Sequence, residues 1–188
     1  MPDYSLTPAA PLAGTDITIA DTRLVAPADL AVVSVALPLG AENAAEAAIK
    51  AVYGVALPEV GKSRLAKDGA RLVRLGSDFA FVIFTHPTPD AERVVAGRLK
   101  GAVYTTDQTD VWVALDLSGA NARRALERIC PIDLHPDAFG IGDSARTVME
   151  HLGTLIIRTG DNTYRLMSGS SSAGSFRHAI ETSLSNIA

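Results

Sequence analysis

Residues 104–112 read Tyr-Thr-Thr-Asp-Gln-Thr-Asp-Val-Trp, and the stretch they open, running to His151, decides how the chain is organised. A strand predicted over 102–106 ends at Asp107 and Asp110, residues that cap turns because their carboxylates bond nearby backbone N–H groups. Val111, Val113, Leu115 and Leu117 then alternate with Trp112, Ala114 and Asp116, the period of two expected of a half-buried strand. Ser118-Gly119 breaks that strand. A helix is predicted over 120–129, with Ala122, Ala125, Leu126 and Ile129 as its buried stripe. Ile129-Cys130-Pro131-Ile132-Asp133-Leu134-His135-Pro136 begins a loop, which leads to a strand at 145–150.

Outward from this stretch, one order of elements appears twice. Downstream, 155–159 and 164–167 form a hairpin around Gly160-Asp161-Asn162. The polar run 168–172 then leads into a helix whose Phe176, Ala179, Ile180 and Leu184 share a face. Upstream, short edge strands at 17–19 and 23–25 precede a buried strand at 30–37. A helix at 41–53 follows, with Ala45, Ala48, Ile49 and Val52 on one face and Glu46 and Lys50 as an i,i+4 pair. Gly54 is placed to cap it. Residues 58–69 are loop-like. Strands at 70–75 and 79–84 join through Gly76-Ser77-Asp78, and Thr88-Pro89-Asp90 opens a helix carrying Val94, Val95 and Leu99. Lys100-Gly101 closes that helix.

The two halves are offset by about 80 residues. Leu37-Pro38-Leu39-Gly40 answers the stretch from Leu115 to Gly119, Leu57-Pro58 answers Leu134-His135-Pro136, and Gly76-Ser77-Asp78-Phe79 answers Gly160-Asp161-Asn162-Thr163. The fold class is therefore α+β, a duplicated β2-α-β3-α unit with antiparallel sheets and helices packed on one face. Residues 1–20, with prolines at 2, 8 and 11, make an extended arm. The first unit covers 21–100 and the second 101–188, together one compact domain of two pseudo-repeats.

Composition bounds the function. With 47% apolar residues in 188, the chain folds, and a net charge of −4 with both signs scattered gives no basic face for nucleic acid. No apolar run is long enough for a membrane helix, and no export signal is visible. The single Cys130 excludes an internal disulfide and suits a reducing cytoplasm.

Each candidate chemical motif has a structural reading. Gly61-Lys62-Ser63 lacks the earlier glycine of a phosphate loop, since Ala56 stands there. Gly140-Ile141-Gly142 fails the dinucleotide fingerprint because the next glycine is Gly153. Ser170, Ser171 and Ser172 have no base in view. Cys130, at a helix C-terminus, faces the negative end of the dipole and is a poor nucleophile. His135 reads as a loop histidine bonded to backbone, His151 as structural, His86 and His178 as surface. Asp107, Asp110 and Trp112 are turn caps and packing rather than walls of a pterin site. No catalytic, cofactor-binding or metal residue is assigned.

Two runs do carry a family resemblance. Thr106-Asp107-Gln108-Thr109-Asp110-Val111-Trp112 and Cys130-Pro131-Ile132-Asp133-Leu134-His135-Pro136 resemble motifs of the gamma subunit of bacterial heterotetrameric sarcosine oxidases. Ala145-Arg146-Thr147, His151, the run from Leu30 to Ala36 and Leu75-Gly76-Ser77-Asp78 also fit. The sequence departs from the pattern at Phe79-Ala80-Phe81 and at Arg177, where the family often has Trp. The duplication is similar to the folate-binding module of the aminomethyltransferase family, the glycine-cleavage T-protein. There two such units interlock and exchange first strands.

The resemblance implies a non-catalytic subunit of a flavoprotein that oxidatively demethylates sarcosine or a related N-methyl amino acid. The one-carbon unit passes to tetrahydrofolate. FAD, FMN, NAD, tetrahydrofolate and zinc would then belong to partner subunits, alpha, beta and delta. The alternative is a free-standing folate-binding or one-carbon-transfer protein. As a subunit, the chain needs a contact surface. Ile132, Leu134, Phe139 and Ile141, grouped in one loop, are the candidates together with the N-terminal arm. The competing arrangement folds this loop back over its own sheet.

Overall fold

The computed structural model describes residues 9–87 and 89–188. The first eight residues of the expected arm, and Thr88, lie outside them. The strands run β1 (Asp16–Ile19), β2 (Thr22–Val25), β3 (Leu30–Ala36), β4 (Ser63–Leu65), β5 (Arg71–Arg74), β6 (Phe79–Thr85), β7 (Tyr104–Asp107), β8 (Trp112–Gly119), β9 (Ser144–Met149), β10 (Leu152–Gly160) and β11 (Thr163–Gly169). The helices are α1 (Glu42–Tyr53), α2 (Ala91–Leu99), α3 (Ala122–Leu126) and α4 (Ala173–Ser185).

Alternation along the strands builds two antiparallel sheets, ordered β4-β5-β6-β3-β7 and β1-β2-β8-β11-β10-β9. One face of the first sheet packs Val33, Val35, Leu72 and Val82 against Ile49 and Tyr53 of α1 and Val95 and Leu99 of α2. One face of the second packs Leu115, Leu117, Ile156 and Leu166 against Leu126 of α3 and Phe176, Ile180 and Leu184 of α4. The remaining faces meet each other, where Val32, Val73, Phe81 and Ile83 lie against Ala114, Leu155, Ile157 and Met167. The layers are thus helices, sheet, sheet, helices. Period-two strands can serve two apolar layers at once, because odd and even residues face opposite ways.

After β1, each half contributes two strands, a helix, three strands and a helix. The halves trade a strand. β2 pairs with β8 of the other half, Leu24 opposite Leu117, while β7 pairs with β3, Thr105 opposite Val35. The short links after β2 and β7 therefore cross between the sheets.

A second crossing sits where Lys62 and Asp143 form an isolated antiparallel bridge and an ion pair. The Ser63 N–H donates to the Gly142 carbonyl and the Ser144 N–H to the Gly61 carbonyl, a reciprocal exchange. Both glycines have left-handed φ, +78° and +93°. A side chain on Gly142 would press on the Ser63 carbonyl at 3.2 Å.

An arginine closes each turn beyond this crossing. Arg74 donates to the carbonyls of Gly76, Ser77 and Pro58. Arg158 donates to those of Gly160, Asp161 and Phe139. This equivalence supports the match of Gly76-Ser77 with Gly160-Asp161. It also sets Pro58 opposite Phe139, so the expected match of Leu57-Pro58 with Leu134-His135-Pro136 is corrected by a few positions.

Several local expectations change. Ser63–Leu65 is a strand within the stretch read as loop, because it finds β5 as a neighbour. β2 lies inside its sheet rather than at an edge. α2 starts at Ala91, after Pro89, with Asp90 as N-cap. Tyr53, not Val52, completes the buried stripe of α1, and Glu46 pairs with Arg74 at 2.8 Å rather than with Lys50. α3 has five residues instead of ten, and Val111 belongs to a short 3-10 turn and is exposed.

Candidate functional site

The crossover from β7 to β8 is built by the Thr106–Trp112 run and held by its own polar groups. The Asp107 carboxylate accepts from the Thr109 N–H at 2.9 Å, an Asx turn that ends β7. Its second oxygen accepts from the Glu92 N–H at the start of α2, at 3.4 Å. The Gln108 N–H donates to the Val32 carbonyl, and the Thr109 hydroxyl accepts from the Val32 N–H at 3.2 Å. Asp107 and Thr109 therefore fix the angle at which the chain leaves one sheet for the other.

Past this turn Trp112 enters the seam between the sheets. Its ring meets Phe81 edge to face, with centroids 5.7 Å apart. The Trp112 indole N–H is enclosed and has no hydrogen-bond partner among the described residues. An unmet buried donor costs about 1–3 kcal/mol. It lies beside a cleft of about 590 Å³, bounded by Leu12, Leu30, Val32, Thr109, Asp110 and Ser171. The cleft offers apolar walls, the hydroxyls of Thr109, Ser170 and Ser171 and the carboxylates of Asp29 and Asp110, with Trp112 in its lining. That set can hold a neutral or weakly polar group, and it contains no nucleophile paired with a base.

The remaining sequence candidates are dispersed. Cys130 is buried against α3, its N–H donating to the Leu126 carbonyl. His135 is exposed and accepts from the Asp137 N–H at 3.4 Å. His151 and His178 are exposed, and His86 is paired with Asp90 at 2.8 Å. Lys62 and Gly61 belong to the crossing described above. Ser170 and Ser171 line the cleft.

The loop 131–143 divides. Leu134 and Phe139 are buried in the core of the second half, and Ile132 packs against it half-buried. Ile141 is 60% exposed. The loop folds back because those side chains complete the layer that the short α3 leaves open. Val60, at the equivalent place in the first half, is 55% exposed.

Sequence reading missed the arginines. Arg74-Leu75-Gly76 and Arg158-Thr159-Gly160 repeat an Arg-x-Gly signal before each turn, and that repeat was there to be read. A second group, Arg71, Arg165 and Asp116, meets only through the packing of the sheets and leaves no local signal.

Paired antiparallel sheets that trade a strand, with helices outside, define the class of protein to which this chain is similar. Glycine cleavage system aminomethyltransferase T from Bartonella henselae matches 87% of the chain and 46% of its own, with TM-score 0.62 and 17% identity. A chain of the heterotetrameric sarcosine oxidase from Corynebacterium sp. U-96, solved in complex with pyrrole 2-carboxylate, matches 95% of both chains with TM-score 0.79 and 23% identity.

Residues 38–183 match the sarcosine oxidase, gamma subunit family, and the chain belongs to that family. Sarcosine oxidase subunit gamma of Arthrobacter sp. is 31% identical over 126 residues, 66% of this chain and 62% of the relative. The protein of the same description from Corynebacterium sp. strain U-96 is 31% identical over 125 residues, 64% and 60%. The matched segment thus spans about three-fifths of each relative's length.

Proposed function

We propose that this chain is the gamma subunit of a heterotetrameric sarcosine oxidase, or of a close relative acting on another N-methyl amino acid. Its role is structural. Alpha, beta and delta subunits would carry FAD, FMN, NAD, tetrahydrofolate and zinc, and the oxidative demethylation would take place there. The observation that carries the reading is the family match over 38–183. The 0.79 superposition on a chain of the Corynebacterium enzyme supports the fold.

Among the described residues no helix is long and apolar enough to cross a membrane. The subunit reading goes with a cytoplasmic location and with partners that are proteins rather than nucleic acid or membrane.

Within this reading the contact surface includes the loop 131–143. Its exposed member Ile141, with Val60 at the equivalent place on the other half, makes the contact. Leu134, Phe139 and Ile132 hold the loop in shape. Affinity capture of the chain from native extract, with mass identification of co-purifying chains, tests the function. Three flavin-enzyme subunits in stoichiometric amounts are expected, and recovery of the chain alone overturns the reading. Paired substitution of Val60 and Ile141 by Asp should weaken that recovery while circular dichroism stays unchanged.

A second reading, a free-standing folate-binding or one-carbon-transfer protein, is favoured by the cleft beside the unpartnered Trp112 N–H. Quenching of a folate's fluorescence by the isolated chain, removed in Trp112→Phe, would select it.

A further inference from the structure

A second cleft, of about 420 Å³, opens at the seam between the two sheets, lined by residues of β2, β5, β6, β8 and β11. Three arginines reach it: Arg23, Arg71 and Arg165. Two are satisfied by carboxylates in fork geometry. Arg165 donates twice to Asp116, both at 2.7 Å, and Arg23 donates twice to Asp16, at 2.8 and 2.7 Å. Arg71 differs. It donates to the Ser63 hydroxyl at 3.1 Å, and no carboxylate among the described residues lies within ion-pair distance of it.

Half-burial and then the neighbouring charge of Arg165 both pull the Arg71 pKa below its ordinary value, while Asp116 opposes them. Asp116 is engaged by Arg165 on both oxygens and makes no hydrogen bond or ion pair with Arg71. Three cations against two anions leave a surplus of one positive charge, held on a planar fork with free N–H donors.

We infer that the cleft beside Arg71 is a binding site for a carboxylate group. A carboxylate matches the surplus of one charge and the flat geometry of the guanidinium, which it can engage through two parallel hydrogen bonds. Val25, Leu30, Ile83 and Phe84 form apolar walls next to the charge, and they suit the hydrocarbon that a carboxylate carries. Ser118 and Thr163 add hydroxyl donors at the rim. Two sources can supply the group: a small organic acid in solution, or an Asp or Glu side chain of a partner subunit. The site adjoins the crossover cleft at Pro27 and Leu30; a soluble acid needs no partner, whereas the side-chain source rests on the subunit role proposed above.

Nuclear magnetic resonance of the arginine Nε–H groups of the whole chain tests it. Sodium butyrate is the probe, with sodium chloride at matched ionic strength as reference. A saturable shift of the Arg71 and Arg165 signals with butyrate alone, with the affinity read from Arg165 lowered at least about tenfold in Arg71→Gln, supports a soluble acid. The wild-type titration stands on its own if the variant folds poorly by circular dichroism.

If butyrate gives no shift, the complex captured from cells is used. Arg71→Lys is then treated with a carbodiimide, which joins an amine to a carboxylate in direct contact. A covalent link from residue 71 to a partner's Asp or Glu supports the side-chain source. Equal shifts with butyrate and chloride, or neither a shift nor a link, overturn the proposal.

Discussion

α1 and α3 occupy equivalent places in the two halves, yet α1 has 12 residues and α3 only 5. The first half buries its outer layer with a regular helix, using Ala45, Ile49 and Tyr53 at every fourth position. The second half stops its helix early and finishes the layer with irregular chain, where Cys130, Leu134 and Phe139 come from the following loop. The comparison shows that the repeat constrains where apolar groups must arrive, not which backbone delivers them. A loop doing so must satisfy its own polar groups. The Asp133 carboxylate and the His135 carbonyl supply partners for the backbone N–H groups of residues 135, 138 and 139.

The largest effect should therefore fall on that loop. Leu134→Ala removes a fully buried side chain from a loop-built layer and should cost about 4 kcal/mol in urea unfolding. Leu57→Ala, in the equivalent link of the first half and at the margin of its core, should cost about 2 kcal/mol. Phe139→Asp should abolish cooperative folding. Equal losses for Leu57 and Leu134 would break the contrast between the halves.

The paired arginines rank next. Arg158 is 5% exposed and its guanidinium is met by three carbonyls, whereas the Arg74 side chain is 16% exposed and also reaches Glu46. Arg158→Met leaves the buried Phe139 carbonyl without its donor and removes the bonds to Gly160 and Asp161, so a loss of about 3 kcal/mol is expected. Arg74→Met, nearer solvent, should lose about 1 kcal/mol. Urea midpoints of the two variants measure the difference.

How much of this was readable beforehand depends on the range of the signal. Alternation in Val113, Leu115 and Leu117 gave β8 and its buried face, because a period of two is local. The Asx turn at Asp107 was likewise carried by residue type. The partner of Trp112 was not: its face packs on Phe81 of the other sheet, a contact fixed by how two sheets stack. β4 escaped notice for a similar reason, since Ser63-Arg64-Leu65 is a strand only because Arg71-Leu72-Val73 lies beside it. The helix predicted over 120–129 has the right apolar spacing, but Ile129-Cys130-Pro131 turns inward before it is complete. Of the polar groups, the Asp107 turn cap was legible, and the Arg71 cluster, assembled from strands far apart in sequence, was not.

The exchanged strands give a smaller test. Gly119 ends β8 opposite Thr22, just as Ala36 ends β3 opposite Tyr104. The first half carries a Cβ there and the second does not. At Gly119, φ is +141° and an added Cβ would meet the Asp21 carbonyl at 2.4 Å. Gly119→Ala should cost about 2 kcal/mol and loosen β2, whereas Ala36→Gly should cost about 1 kcal/mol through backbone entropy alone. Amide exchange of Leu24 reports whether the loss is local to the exchanged strand.

The smallest effect concerns what flanks the exchanged strands. β7 is the outer strand of its sheet, whereas β2 is covered by β1, joined through the Asp16–Arg23 ion pair. The hydrogen bonds from Arg23 hold the Asp16 carboxyl below its ordinary value of 3.8. A carboxyl whose folded pKa is depressed adds stability that is fully present above the unfolded pKa. That stability is lost as pH falls through the folded value. Amide protection in β1 should thus not depend on Asp16 between pH 5 and 8, a range far above both values, and should decline on acidification below about pH 4. The pair is exposed to water on both sides, so the change belongs to local fraying of β1 and not to global unfolding. Asp16→Asn should remove the acid-dependent part, leaving β1 equally frayed at pH 6 and pH 3. If β1 protection in the wild type falls together with that of β8 and β11, the strand is not an independent cover. The two exchanged strands would then be held alike.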